Sequence, residues 1–164
     1  RWVSGQPPEA VEYWETAIQQ PYQSWMIEPL LLFFAVPKYP DAHDPFKAFE
    51  VLKERIEHRR TTKIDKMLGA VLLDESDEVQ LRANIETIVS KRSPRAVGEP
   101  GRRKEGAKTM AEFVLGIRAL MAGDMEENQK RMRLCWERKL PRHLECYLAG
   151  YEAGFFPPRE MAEN

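Results

Sequence analysis

Residues able to perform acid–base or metal chemistry are spread thinly along this chain. Its three histidines, His43, His58 and His143, are far apart, and no phosphate-binding glycine loop, nucleophile elbow or His-Glu-x-x-His motif occurs. Carboxylates are plentiful, as in Asp74–Glu78, but they fall at the starts of predicted helices, where they stabilise the positive end of the helix dipole. We therefore predict a protein that is not an enzyme and that holds no cofactor and no metal.

Positive charge is concentrated in a segment rich in proline, glycine and arginine, residues 95–108, which we predict to be a loop. Such a loop either binds phosphate or an acidic partner protein, or is a solvated insertion between helices. No aromatic residue is interleaved for base stacking, and the formal net charge is only -1, so we expect no nucleic-acid partner. For a protein partner, the loop residues expected to make contact are Arg102, Arg103 and Lys104.

Aromatic residues are dense near the N-terminus. We expect most of them to lie in the core and some to pack against a partner or against further chain. They are Trp2, Tyr13, Trp14, Tyr22, Trp25, Phe33 and Phe34.

The two cysteines, Cys135 and Cys146, lack a metal-binding spacing and fall on neighbouring predicted helices. A disulfide is geometrically possible between such positions. Free buried thiols are common in intracellular helical proteins, so we expect reduced cysteines and a cytoplasmic location.

The totals are typical of one globular domain. The chain has 164 residues, of which 43% are hydrophobic and 31% charged, a balance that excludes extensive disorder. The longest strongly apolar run, Leu30–Val36, is far shorter than the ~20 residues that span a bilayer. We therefore expect a single domain over residues 1–164 without a membrane span.

Apolar residues recur at helical spacing through most of the chain, whereas hairpin-turn and alternating strand patterns are almost absent. Capping residues and prolines mark the boundaries. The sequence predicts an all-α fold of about eight helices. Their predicted starts are near Pro8, Ser24, Pro45, Thr62, Ser76, Thr109, Asp124 and Pro141.

A repeat at an offset of 47 residues is the most informative pattern. Thr62–Pro94 aligns without gaps on Thr109–Pro141 with six identities in 33 positions, where average composition gives about two. Each copy opens with a threonine followed three residues later by an acid, carries Leu-Gly in its first helix, and places an aspartate before its second. Two equivalent helix–turn–helix hairpins are predicted, with two unrelated hairpins that share common caps as the alternative. The identities are Thr62/Thr109, Leu68/Leu115, Gly69/Gly116, Leu73/Leu120, Asp77/Asp124 and Pro94/Pro141.

The second copy resembles a tetratricopeptide repeat. The matching features are Leu115-Gly116, Gly123-Asp124, Met132 at the large apolar position and the closing Pro141. The departures are Glu112 in place of tryptophan, Ala119 in place of tyrosine and Asn128 in place of alanine. The resemblance covers the two copies and implies antiparallel hairpins stacked into an α-α superhelix.

The resemblance also implies a function, namely a non-enzymatic module that binds a protein or peptide on its concave face. The first helix of each pair would line that face, with Lys63, Lys66, Ala70, Glu112 and Arg118. Together with the loop, the predicted partner-binding residues are Lys63, Lys66, Arg102, Arg103, Lys104 and Arg118.

Two other functions stay open at this point. Small helical domains also act as bacterial immunity proteins that neutralise a toxin, and acidic turns suit that function. A further alternative is an enzyme or an oligomerisation domain whose site is completed by parts of the protein outside these residues. A fold-level analogy alone does not decide between them.

Overall fold

The computed structural model describes residues 7–18, 34–35, 37–38, 45–58, 61–88, 100–138 and 144–155. The predicted all-α class is confirmed, because these residues form seven helices and no β-strand, close to the eight helices expected. The helices are α1 (Pro7–Ile18), α2 (Pro45–Glu57), α3 (Lys63–Leu72), α4 (Glu78–Ile88), α5 (Pro100–Met121), α6 (Met125–Glu137) and α7 (Leu144–Glu152).

Some predicted boundaries lie outside the described residues. Of the helix expected from Ser24 to Val36, only Phe34 and Ala35 are described, and both are helical and buried. Pro94 and Pro141, expected to close the two copies of the repeat, also lie outside the described residues.

The chain divides into two compact units, residues 1–69 with 156–164, and residues 70–155. The boundary falls inside α3, between Gly69 and Ala70. The expectation of a single domain over residues 1–164 stays a prediction.

In the first unit, α1 and α2 each bury one apolar side. The buried positions recur at helical spacing, as expected of an amphipathic helix on a core. They are Ala10, Val11 and Trp14 in α1, and Ala48 and Leu52 in α2.

Side-chain caps begin three helices as the sequence predicts. Thr62 Oγ1 accepts a hydrogen bond from the Asp65 N–H at 3.2 Å at the start of α3. Asp77 and Asp124 accept the N–H of the third residue after them, at 2.8 Å and 3.0 Å, at the starts of α4 and α6. Each cap satisfies an amide that has no partner within the helix.

Thr109 does not begin a helix, contrary to the prediction. The helix begins at Pro100, and Thr109 is buried within it, with its hydroxyl donating to the Glu105 carbonyl at 2.8 Å. A threonine can satisfy its hydroxyl on the preceding turn, so the same residue type serves as a cap or inside a helix. The predicted loop is consequently wrong for residues 100–108, which are helical, while residues 95–99 lie outside the described residues.

The mid-helix glycines of the two copies allow close packing, but against different helices. A Cβ on Gly69 would lie 2.6 Å from Ile56 Cδ1, on α2. A Cβ on Gly116 would lie 2.9 Å from Met132 Cε, on α6. Equivalent hairpins would use the glycine in the same way, so the two copies differ in their packing.

The central helix of the second unit is α5, which packs against α4, α6 and α7. Seven consecutive residues, Ala111–Ile117, are buried, whereas a helix packed on one side alone buries only a stripe. Glu112 lies within this run. Its carboxylate therefore needs hydrogen-bonding partners from the surrounding helices.

The turns after α3 and α5 share one backbone motif. Asp74 and Gly123 have φ values of 57° and 78°, and their amides and the next ones bond back to the last helical turn. Asp74 does not match Gly123 in the 47-residue repeat, because the first copy's helix ends two residues earlier. The two turns therefore differ in length.

Gly123→Ala is expected to lower the free energy of unfolding by about 1 kcal/mol, because an L side chain must then adopt a positive φ. Crowding is not the reason, since a Cβ at this position meets no atom within 4 Å. Gly123→Asn should lose less, because asparagine tolerates this conformation better. Urea denaturation of the three proteins tests this, and an alanine variant as stable as the wild type would contradict the turn geometry.

Candidate functional site

Two of the predicted partner-binding cations are already paired with carboxylates of the chain. Lys104 forms an ion pair with Glu86, and Arg118 Nη2 lies 2.5 Å from Asp74 Oδ1. These pairs are partly exposed and contribute little stability. A partner would nevertheless have to displace an internal carboxylate from each cation, which disfavours both residues as the centre of a binding site.

Lys104 and Arg118 are both on α5 but are not neighbours. They are separated by fourteen residues of α5, about 21 Å along the helix axis. Lys63 and Lys66 belong to the first unit, and the side chains of Arg102 and Arg103 lie outside the described ones. All six predicted partner-binding residues stay predictions, namely Lys63, Lys66, Arg102, Arg103, Lys104 and Arg118.

Five charged side chains from three helices form what we call the α5 ion cluster. Its members are Glu78 and Arg82 of α4, Glu112 of α5, and Glu127 and Arg131 of α6. Glu112 is at its centre, with a side chain only 3% exposed. Its Oε1 accepts a hydrogen bond from Arg82 Nη2 at 2.9 Å, and its Oε2 accepts one from Arg131 Nη1 at 3.0 Å. The prediction that Glu112 lines a ligand-binding face is therefore wrong.

Arg131 joins the three helices. Its Nη1 and Nη2 donate to Oε1 and Oε2 of Glu78 at 2.9 Å each, and its Nε donates to Glu127 at 2.6 Å. Arg82 Nε also donates to Glu78, at 2.6 Å. A planar guanidinium makes such paired hydrogen bonds only in a narrow range of orientations. The cluster therefore fixes α4, α5 and α6 relative to one another.

Hydrogen bonding keeps Glu78 and Arg131 of the cluster charged. Burial alone would raise the pKa of Glu78, but hydrogen bonds from Arg82 and Arg131 outweigh it and hold that pKa below its ordinary value. Burial alone would lower the pKa of Arg131, whereas hydrogen bonds to Glu112 and the other carboxylates raise it above its ordinary value. Carboxylates held ionised in this way position helices and are poorly suited to proton transfer at neutral pH.

A sequence signal for the cluster was present. Glu78 and Arg82, and likewise Glu127 and Arg131, are four residues apart on their helices. That spacing also occurs on ordinary solvated helix surfaces, so it does not by itself indicate a buried site. The burial of Glu112 is what distinguishes this cluster from a solvated helix surface. The sequence did not indicate this burial, because the helix was predicted to begin at Thr109, only three residues before Glu112.

A second set of ion pairs joins the same helices at the end that is remote from the turns after α3 and α5. Glu86 of α4 pairs with Lys104 and Lys108 of α5. Arg138, which follows α6, donates from Nη1 to Glu105 of α5 at 2.8 Å. The helices α4, α5 and α6 are therefore joined by charged contacts at both ends of their shared interface.

An aromatic cluster lies where α6 meets α7, and we define it as Trp136, Tyr147 and Phe155. The Trp136 ring centroid lies 6.4 Å from that of Tyr147 and 6.0 Å from that of Phe155. Tyr147 is 50% exposed and Phe155 is 46% exposed. The cluster therefore presents several adjoining apolar rings to solvent, unlike an isolated exposed apolar residue.

Sequence reasoning singled out the N-terminal aromatic residues instead. Trp14 and Phe34 are buried, as expected for the core, and Tyr13 is exposed. The other members of that group, which lie outside the described residues, are Trp2, Tyr22, Trp25 and Phe33. The aromatic cluster was missed because its rings come from separate segments of the chain.

Among the described residues, no helix is long and apolar enough to cross a membrane, and no group of three or more His, Cys, Asp or Glu side chains is placed to hold a metal ion. Comparison of the chain with known protein families, curated proteins and solved structures finds no match. The tetratricopeptide resemblance therefore rests on the residues of the two copies alone.

Glu112→Gln removes the charge that Arg82 and Arg131 share, and leaves two guanidinium groups with less compensation. We expect the free energy of unfolding to fall by about 3 kcal/mol. The matched control is Glu126→Gln on the exposed surface of α6, with an expected change within about 0.5 kcal/mol. Chemical denaturation measures the free energy of unfolding of both variants. Similar losses in the two variants would show that the hydrogen bonds of Glu112 to Arg82 and Arg131 do not stabilise the fold.

Stability should depend on pH through Glu78. Its folded-state pKa lies below the ordinary value of 4.5, so its contribution is present above the unfolded-state pKa and is lost as pH falls through the folded-state pKa. We expect the free energy of unfolding to decrease between about pH 5 and pH 3, and to decrease less in Glu78→Gln. Urea denaturation across this range at fixed ionic strength tests it. Identical pH profiles for variant and wild type would be the contrary result.

Proposed function

We propose that the chain is a non-enzymatic helical module that binds a protein or peptide partner, and that the aromatic cluster is part of its docking surface. The observation that carries the proposal is the half exposure of Tyr147 and Phe155, whose rings both pack against Trp136. Aromatic side chains bury much apolar area and have few rotatable bonds to fix, which is why they are enriched in binding hot spots.

The surroundings of the cluster favour a partner that presents apolar side chains. The exposed neighbours of Trp136 along α6 include Arg133 and Glu137, one of each sign. A rim of mixed charge selects neither an acidic nor a basic partner, in agreement with the formal net charge of -1. Affinity would then come mainly from contact with the aromatic rings.

Binding is also helped when the contact residues are already fixed in place. Trp136 lies near the C-terminal end of α6, and the first half of that helix is anchored through Arg131 in the α5 ion cluster. Beyond Trp136, Arg138 is bonded to Glu105 of α5. The helix that carries the central ring of the aromatic cluster is therefore anchored on both sides of that ring.

In this proposal the tetratricopeptide-like arrangement describes only the α5–α6 hairpin, in which Gly116 lets the two helices pack closely. The two copies differ in their threonines and in their glycine contacts. The proposal consequently requires neither equivalent hairpins nor a concave face lined by Lys63, Lys66 and Arg118.

Replacing Tyr147 and Phe155 together by serine should weaken partner binding at least about tenfold, because both docking rings are removed. Val79→Ser is the matched control, since Val79 is an exposed apolar residue outside the cluster. Proteins retained by the immobilised wild-type chain from extracts of its native source would be identified by mass spectrometry. The strongest candidate is then purified and titrated against each variant by calorimetry.

Thermal unfolding would first establish that both variants fold like the wild type. Unchanged affinity in the double variant would contradict the aromatic docking surface. Light scattering of the purified chain separates partner binding from self-association. If the chain is a dimer that the double variant dissociates, the cluster is a contact between two copies instead.

A further inference from the structure

Two buried thiols lie together between α6 and α7. Cys135 and Cys146 are both present as thiols, and their side chains are removed from solvent. Cys146 Sγ donates to the Cys135 carbonyl at 3.6 Å, and Cys135 Sγ donates to the Glu145 carbonyl at 3.9 Å. Each sulfur thus lies beside the backbone of the segment that carries the other.

We infer that Cys135 and Cys146 are a reversible dithiol–disulfide site that reacts with low-molecular-weight disulfides such as glutathione disulfide. A disulfide needs two sulfurs on segments that already lie side by side. Cys135 and Cys146 meet this requirement, because α6 packs against α7 and each sulfur lies within 4 Å of a backbone carbonyl of the other segment. The inference rests on these two sulfur–carbonyl contacts and is independent of the proposed partner binding.

The reaction is two successive thiol–disulfide exchanges. One cysteine thiolate attacks a sulfur of glutathione disulfide, forms a mixed disulfide with the protein and releases one glutathione thiolate, which takes up a proton. The second cysteine thiolate then attacks the protein sulfur of that mixed disulfide, closes the Cys135–Cys146 bond and releases the second glutathione. The protein loses two electrons and two protons, and glutathione disulfide is reduced to two glutathione molecules.

The fold controls how fast this exchange proceeds. The hydrogen bond to Cys146, together with burial, raises the pKa of the Cys135 thiol, so little reactive thiolate is present while α7 is docked. A helix of nine residues opens locally more readily than the whole unit unfolds. Oxidation is therefore slow and follows the opening of α7.

The site lies directly next to the aromatic cluster. Trp136 and Tyr147 each follow one of the two cysteines in the chain, so a disulfide would tie together the helices that hold these rings. Oxidation would thus restrict the same contact between α6 and α7 that the exposed aromatic surface depends on.

The test is to equilibrate the native full chain in mixtures of glutathione and glutathione disulfide, then to alkylate free thiols and count them by mass spectrometry. We expect both thiols to disappear together, with a mass lower by two hydrogen atoms. Oxidation should be at least about tenfold slower than for the urea-unfolded chain. The urea midpoint should rise after oxidation and return when a thiol reductant is added.

Single-cysteine variants provide the control, because Cys135→Ala and Cys146→Ala can form only a mixed disulfide with glutathione. If either variant fails to fold, the wild-type measurement alone decides. A native chain that keeps both thiols free while the unfolded chain closes the bond would overturn the inference. So would glutathione adducts without the internal bond, or an internal disulfide that lowers the urea midpoint.

Discussion

Glu112 lies inside the central helix α5, where neighbouring helices remove its side chain almost wholly from solvent. An ionised carboxylate at such a position is stable only when hydrogen bonds replace its lost hydration. Arg82 and Arg131 each bind one of its oxygens, and the same two guanidinium groups also bind Glu78. The positions of α4 and α6 around α5 are constrained by these directional bonds, whereas apolar packing alone has no preferred direction.

Such a cluster selects an arrangement more than it adds net stability. Buried ion pairs can often be replaced as a whole by apolar residues with little loss, whereas removal of one member leaves an uncompensated charge and is strongly destabilising. The favourable free energy of this unit comes instead from buried apolar residues such as Phe113, Ile117 and Met132. A shift of α4 or α6 along α5 would break these hydrogen bonds and leave the buried Glu112 carboxylate without partners.

The features that sequence analysis predicted correctly are local ones. Asp77 and Asp124 were predicted as caps because a cap depends on only a few neighbouring residues. The same kind of local pattern gave a wrong prediction for Thr109, because the helix that contains it begins at Pro100. The contacts of the α5 ion cluster and of the aromatic cluster join residues from separate helices, and no periodic pattern specifies which helices meet. The repeat suggested such a pairing, but Gly69 and Gly116 contact different helices relative to their own copies.

The central claim is that Glu112 and Arg131 stabilise the fold through each other, and a double-mutant cycle tests it most directly. The unfolding free energies of the wild type, Glu112→Gln, Arg131→Met and the double variant would be measured by urea denaturation. We predict a coupling energy of about 2 kcal/mol or more, because the loss of either residue already removes their shared hydrogen bond, so that the loss of the second costs less. Additive effects, within about 0.5 kcal/mol, would contradict the account.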